Sequence, residues 1–293
     1  MFHGSNVALV TPFSDNAIDE AALKRLVRFH LDEGTHGIVP VGTTGEASTL
    51  SRREHERVID IVVHEVAGQI PVIAGTGSNN PAEAISYTNY AATAGASAAL
   101  NVMGYYNRPN QEGIYQHFKA LHSATDIPLI IYNVPARAVI DIQPETMARL
   151  AELDRVVGVK DASNDLSRPV RERLLISGEF CFLSGEDPTA VAYNAQGGQG
   201  CISVTANVAP RLCAQMQSLC AEGQFAKALQ IQQQLMPLHQ ALFMEPSPSG
   251  VKYACAMLGL TTADCRLPLV ELRDTTKRVI TECLQKLQLI PST

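Results

Sequence analysis

One lysine of the seven in this chain closes a strand-like run: Val156, Val157, Gly158 and Val159 read as buried strand, and Lys160 follows at once. The other six (Lys24, Lys119, Lys227, Lys252, Lys277, Lys286) fall in helix-patterned segments, where a solvated ammonium is the expectation. A lysine at a strand end ordinarily marks the exit to water. The residues that end the other strand-like runs argue otherwise. Tyr132 lies in one of them, Thr43 follows another, and Arg137 comes soon after Tyr132. Burial disfavours an ammonium, and the neutral amine is the form that attacks a keto group. An unperturbed lysine is neutral only about once in 10³ at pH 7. A carbinolamine must also lose water, which needs proton carriers, and the hydroxyls of Tyr132 and Thr43 can both donate and accept. Arg137 can hold a carboxylate through two parallel bonds. Together these types suggest a Schiff-base enzyme acting on a keto acid.

Such a set needs a scaffold that brings distant residues to one mouth. Eight apolar, β-rich runs recur about every 20 to 35 residues: 6–11, 37–42, 71–76, 98–103, 128–134, 156–160, 181–185 and 201–205. Continuous apolar runs are the mark of parallel strands buried on both faces. Helix starts lie between them. Ser51 to Glu54 reads as a capping box, Asn80-Pro81 with Glu83 as a cap with proline at the first turn, and Asp187-Pro188 repeats that pattern. Eight βα units in series predict a (β/α)8 TIM barrel over residues 1–222, with a doubly wound open sheet as the alternative. Strand signals then stop. Residues 223–293 read as a helical C-terminal extension, with helices near 223–240, 248–259 and 273–288.

In barrels of this kind sites form where strands end. No His/Asp/Glu metal cluster and no Ser/His/Asp set stands at these ends. Gly75-Thr76-Gly77 sits where a phosphate loop would, but a lone GxG is weak. Gly197 to Gly200 precedes the eighth run and reads as a helix C-cap and turn. The 293 residues carry a net charge of -6, which supplies no cationic face for nucleic acid. No apolar run approaches the ~18 residues of a membrane span, and the N-terminal residues lack the pattern of a signal peptide. Seven unpaired-looking cysteines fit free thiols in a reducing, cytoplasmic setting.

At these residues the sequence resembles a known family. "VGTTGEASTL", "YYNRPNQEGIYQHF", "IYNVPAR", "VVGVKDAS", "LSGEDPTAV" and "GGQGCISVTANVAP" are similar, in order and over nearly the whole chain, to the dihydrodipicolinate synthases. These belong, with N-acetylneuraminate lyase, to the pyruvate-dependent class I aldolases. The resemblance implies that Lys160 forms an imine with pyruvate, which then condenses with aspartate 4-semialdehyde in lysine and diaminopimelate biosynthesis. It makes Tyr132, Thr43 and Tyr106 the proton relay, with Tyr106 supplied by a neighbouring subunit. Thr44 and Arg137 would hold the semialdehyde carboxylate or its cyclised product, and the backbone at Gly185 and Ile202 would line the pyruvate site. It further implies a homotetramer built as a dimer of dimers, with no metal or organic cofactor. Two threonines in "GTTGE" favour the synthase branch over the lyases of sugar acids.

The match has departures. Met103-Gly104 stands where Thr-Pro is common, so Tyr106 is expected to be held less firmly. Asp161-Ala162-Ser163 replaces Glu-Ala-Thr, and the segment from Pro246 to Lys252 differs from the usual Asn-Pro-Ile-Pro-Val-Lys. These leave open another pyruvate lyase of the family, acting on a sugar acid or related keto acid, and a non-catalytic sensor of small molecules. The resemblance also implies an effector site for L-lysine, apart from Lys160, at Ala47, Ser48, His55, Asn79, Glu83 and Tyr105. In that region Arg52 replaces a common His, and Ala47-Ser48 a common Ser-Ala, so weak, partial inhibition is expected.

Overall fold

Apolar runs with no polar face stay out of water only when both faces of the sheet are covered, as in a barrel whose outer face carries helices and whose inside is filled by the strands' own side chains. The computed structural model, which describes residues 2–291, has that arrangement. Eight strands, β1 (Gly4–Ala8), β2 (Gly37–Val39), β3 (Ile73–Gly75), β4 (Ala98–Val102), β5 (Leu129–Asn133), β6 (Val156–Asp161), β7 (Cys181–Ser184) and β8 (Gly200–Ser203), run parallel in the order β2-β1-β8-β7-β6-β5-β4-β3. A bridge between Ile38 and Val72 brings the two edges together. Gly75 N donates to Pro40 O at 3.0 Å across the same seam. The strands thus form a (β/α)8 barrel, not an open sheet. A two-strand hairpin (Phe13–Ser14 with Ala17–Ile18) follows β1.

The helices are α1 (Glu20–Asp32), α2 (Arg52–Val66), α3 (Pro81–Ala94), α4 (Gln111–Ala124), α5 (Pro135–Ala138), α6 (Pro144–Ala151), α7 (Arg168–Arg173), α8 (Ala190–Ala195), α9 (Pro210–Ala221), α10 (Phe225–Ala241), α11 (Ser249–Met257) and α12 (Asp274–Lys286). In α1 the buried residues Ala22, Leu23, Leu26, Val27 and His30 form one stripe against the barrel. Each large member removes from water a side chain worth roughly 1.5–3 kcal/mol. Truncating Leu26 to Ala would cost about 2–5 kcal/mol. The α2 capping box is present, with Ser51 N donating to the Glu54 carboxylate at 2.8 Å and Glu54 N to Ser51 Oγ at 3.3 Å. Asn80 caps α3 by accepting from Ala82 N at 3.1 Å. After α9 the chain packs α10 against α9 and α12, and α11 against α12.

Several strand ends fall short of the apolar runs. The first run continues to Thr11, yet the ladder stops at Ala8. Val10 N donates to the Asn207 side chain at 3.0 Å, so its backbone is satisfied by a loop and not by a strand. Asp187-Pro188 does not open a helix with Asp187 as cap. Glu186 precedes a short 3₁₀ turn there. The Asp187 carboxylate instead accepts from Ser203 Oγ at 2.5 Å, Val204 N at 2.8 Å and Thr205 N at 3.1 Å, tying the end of β7 to that of β8.

Candidate active site

Alternation along β6 turns Lys160 into the barrel. It stands opposite Tyr132 in the register of β5 and β6 and opposite Leu183 in β7. Both side chains are buried, at 7% exposure for Lys160 and 9% for Tyr132. The lysine nitrogen lies 4.1 Å from the centre of the Tyr132 ring. Behind it the chain comes very close: a Cβ at Gly185 would stand 3.2 Å from Lys160 Cε and 2.9 Å from Ala162 Cβ. Glycine at 185 is what leaves room for the lysine stem. Ile202 is buried in β8.

Tyr132, Thr43 and Arg137 line a cavity of about 480 Å³; Lys160 is not among its lining residues and is linked to it through the Tyr132 ring that it contacts. Thr43 is exposed to it, and Thr44 is buried beside Thr43. Arg137 sits in the one-turn helix α5 directly after β5, exposed, with no ion-pair partner among the described residues. A guanidinium in the wall of a cavity whose other wall residue, Tyr132, contacts a buried amine suits a substrate that carries both a carboxylate and a carbonyl. Glu186 senses the same charges. Burial first, then Asp187, raise its carboxyl above the usual range, while Lys160 and Arg137 pull it down. The surrounding loops are strained. Val41 has φ +48°, Glu46 +56°, Tyr106 +72° and Val139 +62°, left-handed values that non-glycine residues rarely adopt. Such strain gathers where loops are built to hold a site.

The effector residues expected as a separate site lie in the same cavity. Ala47, Ser48, His55, Glu83 and Tyr105 form its far wall, so within one chain the two sets share a continuous space. Asn79 is adjacent, its Nδ2 donating to Tyr105 O at 3.1 Å. Glu83 accepts from Ser78 Oγ at 2.5 Å. Burial lowers the His55 pKa, and the ring bonds Gly75 O through Nε2 at 2.8 Å. Its Nδ1 is buried without a hydrogen-bond partner. Tyr87, which the sequence did not single out, stacks on His55 with ring centres 4.2 Å apart.

Tyr106 does not reach this cavity. It is 93% exposed on its own chain. Nor is Gly104 a loosening of its loop. Gly104 has φ +86°, a left-handed backbone that side chains rarely adopt, so the turn itself favours the glycine. Close packing sets Gly75-Thr76-Gly77: a Cβ on Gly77 would meet the Val102 backbone at 2.3 Å. That motif is a backbone approach, and the Thr76 hydroxyl is spent on Asn101 Oδ1 at 3.2 Å.

Lys252 departs most from expectation. Instead of a solvated head it is fully buried, its nitrogen 2.6 Å from Glu46 Oε1. The signal that could have exposed it is local: it is the one charged residue in "SGVKYACAM", an otherwise small and apolar helix. Among the described residues no group of three or more His, Cys, Asp or Glu is placed to hold a metal ion. No helix there is long and apolar enough to cross a membrane. All seven cysteines are free and six are buried. Burial pushes the thiols of Cys181 and Cys255 up to about 12, which removes their nucleophilic thiolate forms.

Fold and site together define a (β/α)8-barrel enzyme with a buried lysine at a strand end, packed on a tyrosine that shares a cavity wall with an arginine. The chain belongs to the dihydrodipicolinate synthetase family, whose model matches residues 1–287. A 4-hydroxy-tetrahydrodipicolinate synthase of Rhodospirillum centenum is 56% identical over 290 residues, covering 99% of this chain and 100% of the relative. The crystal structure of the dihydrodipicolinate synthase of Acinetobacter baumannii complexed with pyruvate superposes with a TM-score of 0.97 at 41% identity, covering 99% of this chain and 100% of that one. That of Cyanidioschyzon merolae with lysine bound gives 0.95 at 33% identity, covering 99% of each. The chain is accordingly an enzyme of the lyase class that these relatives represent.

Proposed function

We propose that this enzyme condenses pyruvate with aspartate 4-semialdehyde to 4-hydroxy-tetrahydrodipicolinate, in the route to diaminopimelate and lysine. The observation that carries the proposal is the buried Lys160 nitrogen against the Tyr132 ring, which lines the same cavity as Arg137. The Lys160 amine attacks C2 of pyruvate, and the carbinolamine loses water to an imine. Loss of a proton from C3 gives an enamine, whose carbon attacks the aldehyde. The amino group of the bound semialdehyde then displaces Lys160 from C2, closing the ring and freeing the lysine. Tyr132 and Thr43 carry the protons, while Arg137 and Thr44 hold the carboxylate. The backbone at Gly185 and Ile202 lines the pyruvate pocket. Tyr106 belongs to the relay of a neighbouring copy in a homotetramer. Its exposure and its fixed, left-handed backbone support that role. L-Lysine is the proposed effector, at the far wall of the cavity.

The test is turnover of the purified protein with pyruvate and aspartate 4-semialdehyde, beside cleavage of N-acetylneuraminate. Condensation at tens of turnovers per second would fit an ordinary enzyme rate, about 1–10³ s⁻¹. Cleavage of the sugar acid without condensation would transfer the site to the lyase branch. Turnover of neither would overturn the proposal.

A further inference from the structure

The loop between β2 and α2 carries Thr43, yet the Thr43 hydroxyl makes no hydrogen bond among the described residues. Its place is therefore set by the backbone turn beneath it. Glu46 is spliced into that turn: its N–H donates to Thr43 O at 3.2 Å, and its carbonyl accepts from Thr49 N at 3.0 Å and Thr49 Oγ1 at 3.1 Å. The Glu46 backbone is left-handed, at φ +56°. A glutamate has no intrinsic reason to stay there.

What holds it comes from the other end of the chain. Lys252 on α11 donates to Glu46 Oε1 at 2.6 Å, and the backbone N–H of Arg266 donates to Oε2 at 2.9 Å. Both carboxylate oxygens are thus fixed from two directions. The Arg266 guanidinium then bonds Thr49 O at 3.0 Å and the Glu54 carboxylate at 2.5 Å and 3.0 Å, which pins the far end of the same loop. The Phe13 ring lies beneath both cations, 4.1 Å from Lys252 Nζ and 4.3 Å from the Arg266 guanidinium carbon. Replacing a buried ion pair by apolar groups is often neutral or stabilising. Stability alone is then a weak reason for burying this one, whereas a fixed register for the turn is a sufficient one.

We infer that Lys252 and Glu46 are positioning residues for the proposed condensation: the C-terminal extension clamps the Thr43 turn through them, so that the hydroxyl is placed over the imine formed at Lys160. The inference rests on the function proposed above. Neither residue touches substrate.

The experiment compares Lys252→Met and Glu46→Asp with the unchanged protein. Aspartate accepts a left-handed backbone more readily than glutamate. It keeps the charge but withdraws the carboxylate by about 1.5 Å, the length of one carbon–carbon bond. Misplacement by about 1 Å can cost about 10²-fold in rate. Turnover number is expected to fall about tenfold in Glu46→Asp and about 10²-fold in Lys252→Met. The extent of borohydride trapping of pyruvate at Lys160 is expected to stay as in the unchanged protein. Loss of fold alone would lower trapping and turnover in proportion, and that result overturns the inference. So does unchanged turnover in a folded variant of either kind. Should Lys252→Met fail to fold, Glu46→Asp decides. Absence of condensation by the unchanged protein would refute the proposed function and the clamp's catalytic role with it. Condensation that is indifferent to both substitutions refutes the clamp alone.

Discussion

Tyr132 and Lys160 stand opposite each other on adjacent parallel strands, and the lysine nitrogen lies 4.1 Å from the centre of the tyrosine ring. The ring face shields the amine from water, and the phenol extends into the cavity wall. These two contributions can be separated. Tyr132→Phe keeps the ring and removes the proton carrier. Turnover should fall about 10²- to 10⁴-fold, the range for general acid–base catalysis, while the thermal midpoint stays within a few degrees. Steady-state kinetics beside thermal unfolding is the check, and near-normal turnover would remove Tyr132 from the relay.

Arg137 is exposed at the mouth, without a carboxylate partner among the described residues. Arg137→Ala should therefore leave stability unchanged and raise KM for the semialdehyde. A charged bidentate contact is worth about 1.5–3 kcal/mol, or roughly a tenfold to hundredfold loss in kcat/KM. Kinetics that stay the same would mean the substrate carboxylate binds elsewhere.

Behind β6, Arg168 bonds Asp141 at 2.5 Å and Glu172 at 3.3 Å. Glu172 is fully buried, and its Oε2 has no hydrogen-bond partner. Burial pushes its carboxyl up to about 8, against the pull of Arg168. The unfolded chain releases this proton near 4.5. Between those values the folded state holds a proton that the unfolded state has lost, so this group's contribution to stability declines as pH rises from about 4.5 to about 8. The decline is on the order of a few kcal/mol. Urea unfolding at pH 5 and pH 8 should show it, and Glu172→Gln should remove that part of the slope. Equal slopes in the two proteins would mean that Glu172 is ionised throughout.

How far the sequence revealed this molecule depended on the range of each interaction. Strands buried on both faces are continuous apolar runs, so all eight were visible, although runs such as 6–11 overshot where a loop carried on inside the core. Lys160 and Tyr132 were legible because a strand end fixes where a side chain points. Burial of Lys252 had only a faint local signal, its place as the one charged residue of an apolar helix, and its partner Glu46, 206 residues away, had none. The shared cavity was hidden for the same reason: the turn after β2, the start of α3 and the end of β5 meet only once the barrel closes. Gly104 looked like a loosening, whereas its φ of +86° shows a defined left-handed turn that glycine alone adopts readily.

L-Lysine should bind weakly, at millimolar concentration, with partial loss of turnover. The Glu83 carboxylate stands in the far wall of the cavity and suits an ammonium group. Titration calorimetry reads the binding. Glu83→Ala should abolish it and leave pyruvate trapping intact. Persistent binding in that variant would place the effector elsewhere.

The central claim is that Lys160 is the nucleophile, and mass spectrometry after borohydride reduction with pyruvate tests it most directly. The account predicts one pyruvyl group per chain, carried on the peptide that contains Lys160, and none in Lys160→Arg, whose guanidinium stays protonated and cannot attack a carbonyl. A label on any other lysine, or no label at all, would contradict it.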